Sequence, residues 1–336
     1  MGRRPRHHGA VVDDEAVEQQ WAHTAPMLAS GPPDPLVLPA GPTWSFEVKW
    51  DGVRALALVR SDGSIALRSR TPSDLSERFP AVVAPPVGAG LAGRIGPAIL
   101  DGECVSFDAA NRPSFPRTMR GGVGVRFMVF DVLAWQGRDV RGDPLTQRRS
   151  LLAKLDLPTL TGGAWFPSAV FDDGQALLAA TREQGLEGVM AKQTESTYTS
   201  GMRSPGWVKL PHLSVTDAVV VGWVRSESGG AVASLVVADA AGDFLGTVGS
   251  GMTGRMSDAL LTVLDSTARL DPPVHVSDDV RAFLRRTYGD RVAWVDPLLV
   301  AEVRHLGHTE GGSLRQPVLR RLRPDLSPAD LPGSQW

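Results

Sequence analysis

Short strand-like runs, parted by turns and interrupted irregularly by helix-like stretches, constrain this chain more than any other feature. Phe46 and Val48 alternate with polar neighbours, and apolar runs follow at 55–59 and 65–67. Between those two runs, Ser61-Asp62-Gly63-Ser64 reads as a hairpin turn. Further strands are predicted at 98–100, 104–107, 127–133, 188–192 and 207–210. Helices are predicted at 145–155, with Arg148 and Arg149 away from the apolar face, and at 176–183, ended by Gly185. Without a regular βαβ alternation this is no doubly wound parallel sheet; it predicts the α+β class. The 26 prolines and 36 glycines agree with so many turns.

A chain of 336 residues has length for about two domains. The texture changes near residue 213. Short strands at 215–224, 232–238 and 244–249 are split by Gly/Ser turns, a helix follows at 254–266, and a late strand at 291–304. Five or so short strands with one helix predict a small Greek-key barrel of the OB type. The expected division is a flexible tail over 1–24, a first domain over 25–212, the barrel over 213–330 and a short tail over 331–336. A proline-rich loop at 30–42 leads into the first clear strand.

Thirty-five Lys+Arg against 37 Asp+Glu give a net charge of −2, so binding to nucleic acid requires a local basic surface. Arg304, Arg315, Arg320, Arg321 and Arg323 face one acid, Glu310, between 304 and 323, and are predicted to track phosphates. Arg3, Arg4 and Arg6 are a weaker version, offset by Asp13, Asp14 and Glu15; His7-His8 reads as tail. That basic start runs into acids, not an apolar stretch, which argues against a secretory signal. The apolar run at 218–224 is far short of the roughly 20 residues that span a bilayer. A single cysteine, Cys104, excludes a disulfide framework and a Cys-cluster zinc site and fits a reducing cytoplasm. The expectation is a soluble cytoplasmic protein without a membrane partner. The sequence carries no P-loop and no His-Glu-x-x-His pattern, and Gly121-Gly122-Val123-Gly124 reads as a loop.

Charged groups gather where strands end. Glu47-Val48-Lys49-Trp50-Asp51-Gly52-Val53-Arg54 places a lysine at the end of an apolar strand, followed by Asp-Gly and Arg. Burial or neighbouring cations can turn such a lysine into a nucleophile. Asp101-Gly102-Glu103 reads as acids at a strand turn, and Phe130-Asp131 as a strand ending in an acid. Glu187-Gly188-Val189-Met190-Ala191-Lys192 and Trp207-Val208-Lys209 complete the series. Singly, each has an ordinary structural explanation.

In this order the segments resemble the motifs of the covalent nucleotidyltransferases. The sequence is similar to ATP-dependent DNA ligases, in particular to the ligase module of bacterial end-joining ligases. Ser69-Arg70, Gln147-Arg148-Arg149, Gly201-Met202-Arg203-Ser204 and 309–315 add to the likeness. The resemblance implies an adenylation domain followed by an OB-fold domain, and three chemical steps. Lys49 attacks the α-phosphate of ATP to form lysyl-AMP; AMP passes to a DNA 5′-phosphate; a 3′-hydroxyl then displaces it. It also implies Glu47 and Lys49 at the adenine and α-phosphate, and Arg54 and Arg70 at ribose or phosphate. Glu103 would meet ribose or metal, Phe130 the adenine face, Glu187 metal, Lys209 phosphate or base, and Arg323 ATP. Mg²⁺ or Mn²⁺ is the implied metal. The implied substrate is nicked or broken double-stranded DNA, joined by a monomer, nucleoid-associated in a bacterium, with separate end-binding or polymerase proteins as partners.

Two positions depart from the family. Its Trp-x-Lys-x-Lys reads Trp207-Val208-Lys209-Leu210-Pro211 here, and its Arg-x-Asp-Lys reads Arg323-Pro324-Asp325-Leu326. Each change removes a cation from phosphate, worth roughly 10- to 150-fold if uncompensated. Lys192 and Arg203 are the candidates to replace them. Pro116 is expected to shorten the helix after Phe115. Two other readings stay open on these residues: an RNA ligase or capping-type guanylyltransferase, and a ligase-fold nucleic-acid-binding protein with impaired self-adenylation.

Overall fold

The computed structural model of the chain describes residues 14–31, 37–71, 73–309 and 311–336. Arg3, Arg4, Arg6, His7-His8, Asp13 and Glu310 lie outside the described residues. Two compact units divide between His212 and Leu213.

Among the described residues the first unit holds ten strands: β1 (Leu28–Ser30), β2 (Trp44–Val48), β3 (Val53–Val59), β4 (Ile65–Ser69), β5 (Ala98–Val105), β6 (Arg126–Trp135), β7 (Arg138–Asp139), β8 (Trp165–Pro167), β9 (Gly188–Gln193) and β10 (Arg203–Pro211). Its helices are α1 (Asp14–His23), α2 (Pro85–Ile95), α3 (Phe115–Arg120), α4 (Leu145–Leu152), α5 (Leu157–Leu160) and α6 (Gly174–Glu183). One sheet has the order β4-β3-β5-β6-β7, with β8 parallel on β6; the other has the order β1-β10-β9-β2. Strand β3 shows why its apolar run lacks alternation. Ala55, Ala57 and Val59 pack with Phe79, Leu91 and Trp165 on one face. Leu56 and Leu58 pack with Val17, Met27 and Trp207 on the other, so both faces are covered.

Two expectations are corrected here, and one helix appears that the sequence did not predict. Residues 98–100 and 104–107 are not two strands around an Asp-Gly-Glu turn: β5 runs straight through Asp101-Gly102-Glu103 and pairs Glu103 with Arg54 of β3. Gly102 is there for closeness, because a Cβ would meet the Phe127 ring at 2.6 Å and the Met128 carbonyl at 2.7 Å. Residues 14–23, assigned to the tail, form α1: Val17 is fully buried, and Gln20 donates to the Leu133 carbonyl at 3.1 Å. Helix α2, in a glycine-rich stretch that gave no helix signal, starts on two prolines and presses Gly88 against Gly63 of the 61–64 turn.

The second unit contains β11 (Ser214–Arg225), β12 (Val232–Ala238), β13 (Phe244–Val248), β14 (Ala268–Arg269), β15 (Val292–His305) and β16 (Val318–Leu322), with helices α7 (Gly254–Ser266) and α8 (Asp278–Tyr288). The order is β13-β12-β11-β15-β14, with β16 on β15. The long β11 and β15 pair with a register break between Val220 and Gly222 that curls the sheet into an OB fold. Trp223, Leu235, Val248 and Leu319 fill its core, with Leu260 and Leu264 from α7. Thr253 caps α7 by accepting from the Met256 amide; Ser277 does the same for α8 from Val280. Residues 331–336, expected as a tail, pack on this unit: Leu331 is buried and the Trp336 indole donates to the Asp239 carbonyl at 3.2 Å. Among the described residues no helix is long and apolar enough to cross a membrane.

Candidate active site

A cleft of about 300 Å³ in the first unit gathers Glu47, Lys49, Arg54, Arg70, Glu103, Phe130 and Lys209, all of which the sequence singled out. They come from separate strands. β2 delivers Glu47 and, one residue past its end, Lys49; β3 delivers Arg54, β5 Glu103, β6 Phe130 and β10 Lys209. Arg70 follows β4. Met190, Lys192, Arg203 and Trp207 complete much of the remaining wall.

Lys49 is held from two sides. Its amide donates to the Gly188 carbonyl at 2.9 Å, and its ammonium is ion-paired with Glu187. Gly188 has φ +146°, and a Cβ there would meet the Leu210 carbonyl at 2.3 Å. The Glu-Gly pair is therefore required twice: the acid meets the lysine, and the glycine lets β9 close on β10. The His212 amide, donating to the Glu187 carbonyl at 2.8 Å, fixes the same corner.

Glu47, in the same cleft lining, is almost completely buried, and its Oε1 accepts from Lys192 Nζ at 2.8 Å and Arg149 Nη1 at 3.1 Å. The Lys192 ammonium lies 4.4 Å from the Phe130 ring centre and 4.2 Å from that of Trp207. Burial pulls the Lys192 pKa down, against the opposing pull of Glu47. Lys192 is thus already paired with Glu47, whereas Arg203, like Arg70, is exposed in the cleft lining. Pro211 occupies its position buried, opposite Gly188 in the β10–β9 ladder.

Arg54 makes a bidentate pair with Asp101 at 2.8 and 2.6 Å, and Tyr198 donates to the same carboxylate at 2.7 Å. Burial works to lower the Arg54 pKa, but Asp101 outweighs it and the net shift is upward. Lys209 is shifted down, by burial first and then by the cations Lys49 and Arg203. Glu103 is pushed up to about 8, by burial first; Arg54 and Lys49 resist the shift, and Glu187 and Asp101 add to it. Its folded pKa lies above the ordinary carboxylate value, so its stabilising contribution is complete below about pH 4.5 and is lost as pH rises through 8. Metal-free Glu103→Gln is therefore expected to gain stability relative to the parent across that window, by at most about 5 kcal/mol. Melting temperatures against pH check this; parallel curves for the two proteins would refute it.

Other assigned residues lie elsewhere. Arg323 belongs to the second unit, where its guanidinium pairs with Asp217 at 3.0 Å and Asp325 at 2.7 Å. The basic surface expected around Arg304, Arg315, Arg320 and Arg321 is partly neutralised. β15–β16 pairing sets Glu302 opposite Arg321, and Glu302 binds both Arg320 and Arg321. Arg148, expected on an outer helix face, is fully buried against Asp131. Arg149 went unassigned. Adjacent helix residues lie about 100° apart, so the two arginines leave α4 in different directions, and nothing local in the sequence says which partner each one meets.

A cleft built from strand-borne cations, a buried carboxylate and two aromatic rings, next to an OB-fold unit in sequence, matches known proteins. The family model "ATP dependent DNA ligase domain" matches residues 26–210, and "ATP dependent DNA ligase C terminal region" matches 228–326. The chain belongs to the ATP-dependent DNA ligases. It is 35% identical over 300 residues to the multifunctional non-homologous end joining DNA repair protein LigD of Mycobacterium tuberculosis, covering 86% of this chain and 37% of that protein. The crystal structure of the M. tuberculosis LigD ligase domain superposes with a TM-score of 0.51 at 32% identity, covering 92% of this chain and 97% of that one. A mycobacterial DNA ligase D complexed with ATP and MES gives 0.51 at 33%, with the same coverage. The chain spans a little over a third of the curated LigD length.

Proposed function

We propose that this chain seals 5′-phosphate/3′-hydroxyl breaks in double-stranded DNA through a lysyl-AMP, as part of end-joining repair. The observation that carries the reading is a single cleft lined by Lys49 and further cations together with a buried carboxylate, Glu47, and two aromatic rings. Phosphoryl transfer needs positioned cations around the phosphate and little else from the protein. Lys49, Arg70, Arg203 and Lys209 supply them. Phe130 and Trp207 give the base an apolar wall, and Glu47 an acceptor at its edge. In the first step Lys49 Nζ forms a bond to the α-phosphorus, the bond to the β-phosphate oxygen breaks, and pyrophosphate leaves. Glu187, bonded to Nζ, is placed to take the lysine proton.

Among the described residues no group of three or more His, Cys, Asp or Glu side chains could hold a metal. Two carboxylates nonetheless fit a hard divalent cation that also binds substrate phosphates: Glu187 raises the proton affinity of Glu103, a repulsion that a cation relieves. Glu103 and Glu187 would hold Mg²⁺ or Mn²⁺, which supplies charge neutralisation at the phosphates.

The test is transfer of label. Protein stripped of bound AMP with pyrophosphate is incubated with α-labelled ATP and Mg²⁺, then denatured. Covalent label that chases into a nicked duplex and yields sealed strands is the expected result. A folded, unloaded protein that takes no label would overturn the reading.

A further inference from the structure

The geometry points to Arg149 as a positioning residue that sets the preference for adenine over guanine; this rests on the nucleotide reading of the cleft. Arg149 stands in the last turn of α4, and its guanidinium leaves the helix to bind three groups. Nη1 donates to Glu47 Oε1 at 3.1 Å and to the Phe130 carbonyl at 2.9 Å, and Nη2 donates to the Ser168 carbonyl. One cation thereby fixes both the buried acceptor at the base edge and the backbone that carries the aromatic wall. Lys192 takes the same Glu47 oxygen, so both bonds converge on Oε1 and the second oxygen of this cleft-lining carboxylate has no hydrogen-bond donor among the described residues.

A carboxylate held by two cations offers acceptors only. Adenine presents a 6-amino donor to such a group; guanine presents an oxygen, which it repels. Sites that hydrogen-bond a required donor can reject the analogue lacking it by orders of magnitude. That rejection depends on the carboxylate staying where it is. A cavity of about 500 Å³, lined in part by Leu145, Ser150, Ala153 and Val170, borders Arg149. Its hydrogen bonds to Glu47, Phe130 and Ser168 hold the guanidinium in place. Without them Glu47 loses one of its two anchors and the Phe130 carbonyl its bond from α4.

The test compares Arg149→Gln and Arg149→Lys with the parent chain in self-adenylation by ATP and by GTP. For Arg149→Gln the KM for ATP is expected to rise about 10-fold and the ATP-over-GTP preference to fall about 10-fold, with kcat within about twofold. Arg149→Lys should recover most of the preference. A general loss of structure would lower kcat and melting temperature without changing the preference, and that pattern would overturn the assignment. Equilibrium binding of ATP and GTP to the same proteins gives the answer without turnover. Preference lost on binding in Arg149→Gln supports the role even if the parent takes no covalent label, in which case only the ligase reading falls. Equal preference in parent and variant, or none in the parent, overturns the role whatever the labelling shows.

Discussion

Replacing Lys49 by arginine is expected to erase covalent labelling by ATP while a nick that already carries AMP on its 5′-phosphate is still sealed. The substitution keeps the positive charge beside Glu187 and the strand position past β2, so the cleft keeps its electrostatic balance. What it removes is the free electron pair. A guanidinium does not give up its proton at any working pH, and its delocalised nitrogen is no nucleophile for phosphorus. The first step should therefore fall by at least about 10³-fold. The last step asks something different of the protein. There the DNA 3′-hydroxyl attacks and AMP leaves, so no lysine nitrogen changes its bonds, and cations at Arg70, Arg203 and Lys209 remain. Gel analysis of labelled protein and of joined strands separates the two outcomes. Label retained on the arginine variant would mean that another residue accepts AMP. Failure on the pre-adenylated nick would mean that the lysine shape itself is needed to hold the phosphate.

The residues around this lysine were readable because the chemistry is written locally. Lys49 with Asp51-Gly52 and Arg54 spans the short connection from β2 into β3, and Glu187 with Gly188 opens β9, so order along the chain is order in space. The 61–64 turn was readable for the same reason. What failed was whatever depends on a partner distant in sequence. Asp101-Gly102-Glu103 has turn composition, but its glycine serves the Phe127 ring across the sheet and the strand continues through it. The count of one acid among the arginines of 304–323 omitted Glu302, which antiparallel pairing returns to Arg320 and Arg321, and Asp217, which β11 brings to Arg323. Helix α1 carries a mixed charge pattern with no strong apolar stripe, and is held by one buried valine and side-chain bonds such as Gln20 to the Leu133 carbonyl. Lys192 looked available for phosphate and is instead taken by Glu47 and two aromatic rings. Charges can be counted from sequence; which of them are already spent on each other cannot.

Phe130 and Asp131 show the distinction within one dipeptide, and they carry the largest expected effect on stability. Successive residues of β6 point to opposite faces, so only Phe130 belongs to the cleft. Asp131 is fully buried and receives Arg148, also fully buried, through two bonds of 2.8 Å, together with the Val132 amide at 2.8 Å. The rest of the guanidinium donates to the Asp143 carbonyl at 2.6 Å and the Ser196 carbonyl at 2.9 Å. This knot ties α4, and with it Arg149, to the strand that carries Phe130. Removing one member leaves the other as an uncompensated buried charge, so Asp131→Ala and Arg148→Met should each cost about 3–5 kcal/mol. In a unit of this size that is a fall in melting temperature of roughly 6–20 °C. The double variant should lose less than the two single losses combined, because it strands no charge; it still forfeits the Arg148 bonds to the two carbonyls and so will not match the parent. Denaturant unfolding of the four proteins measures the coupling directly. If Asp131→Ala instead unfolds like the parent and loses only the adenylation step, the acid works on the nucleotide, and the assignment of Asp131 to the scaffold fails.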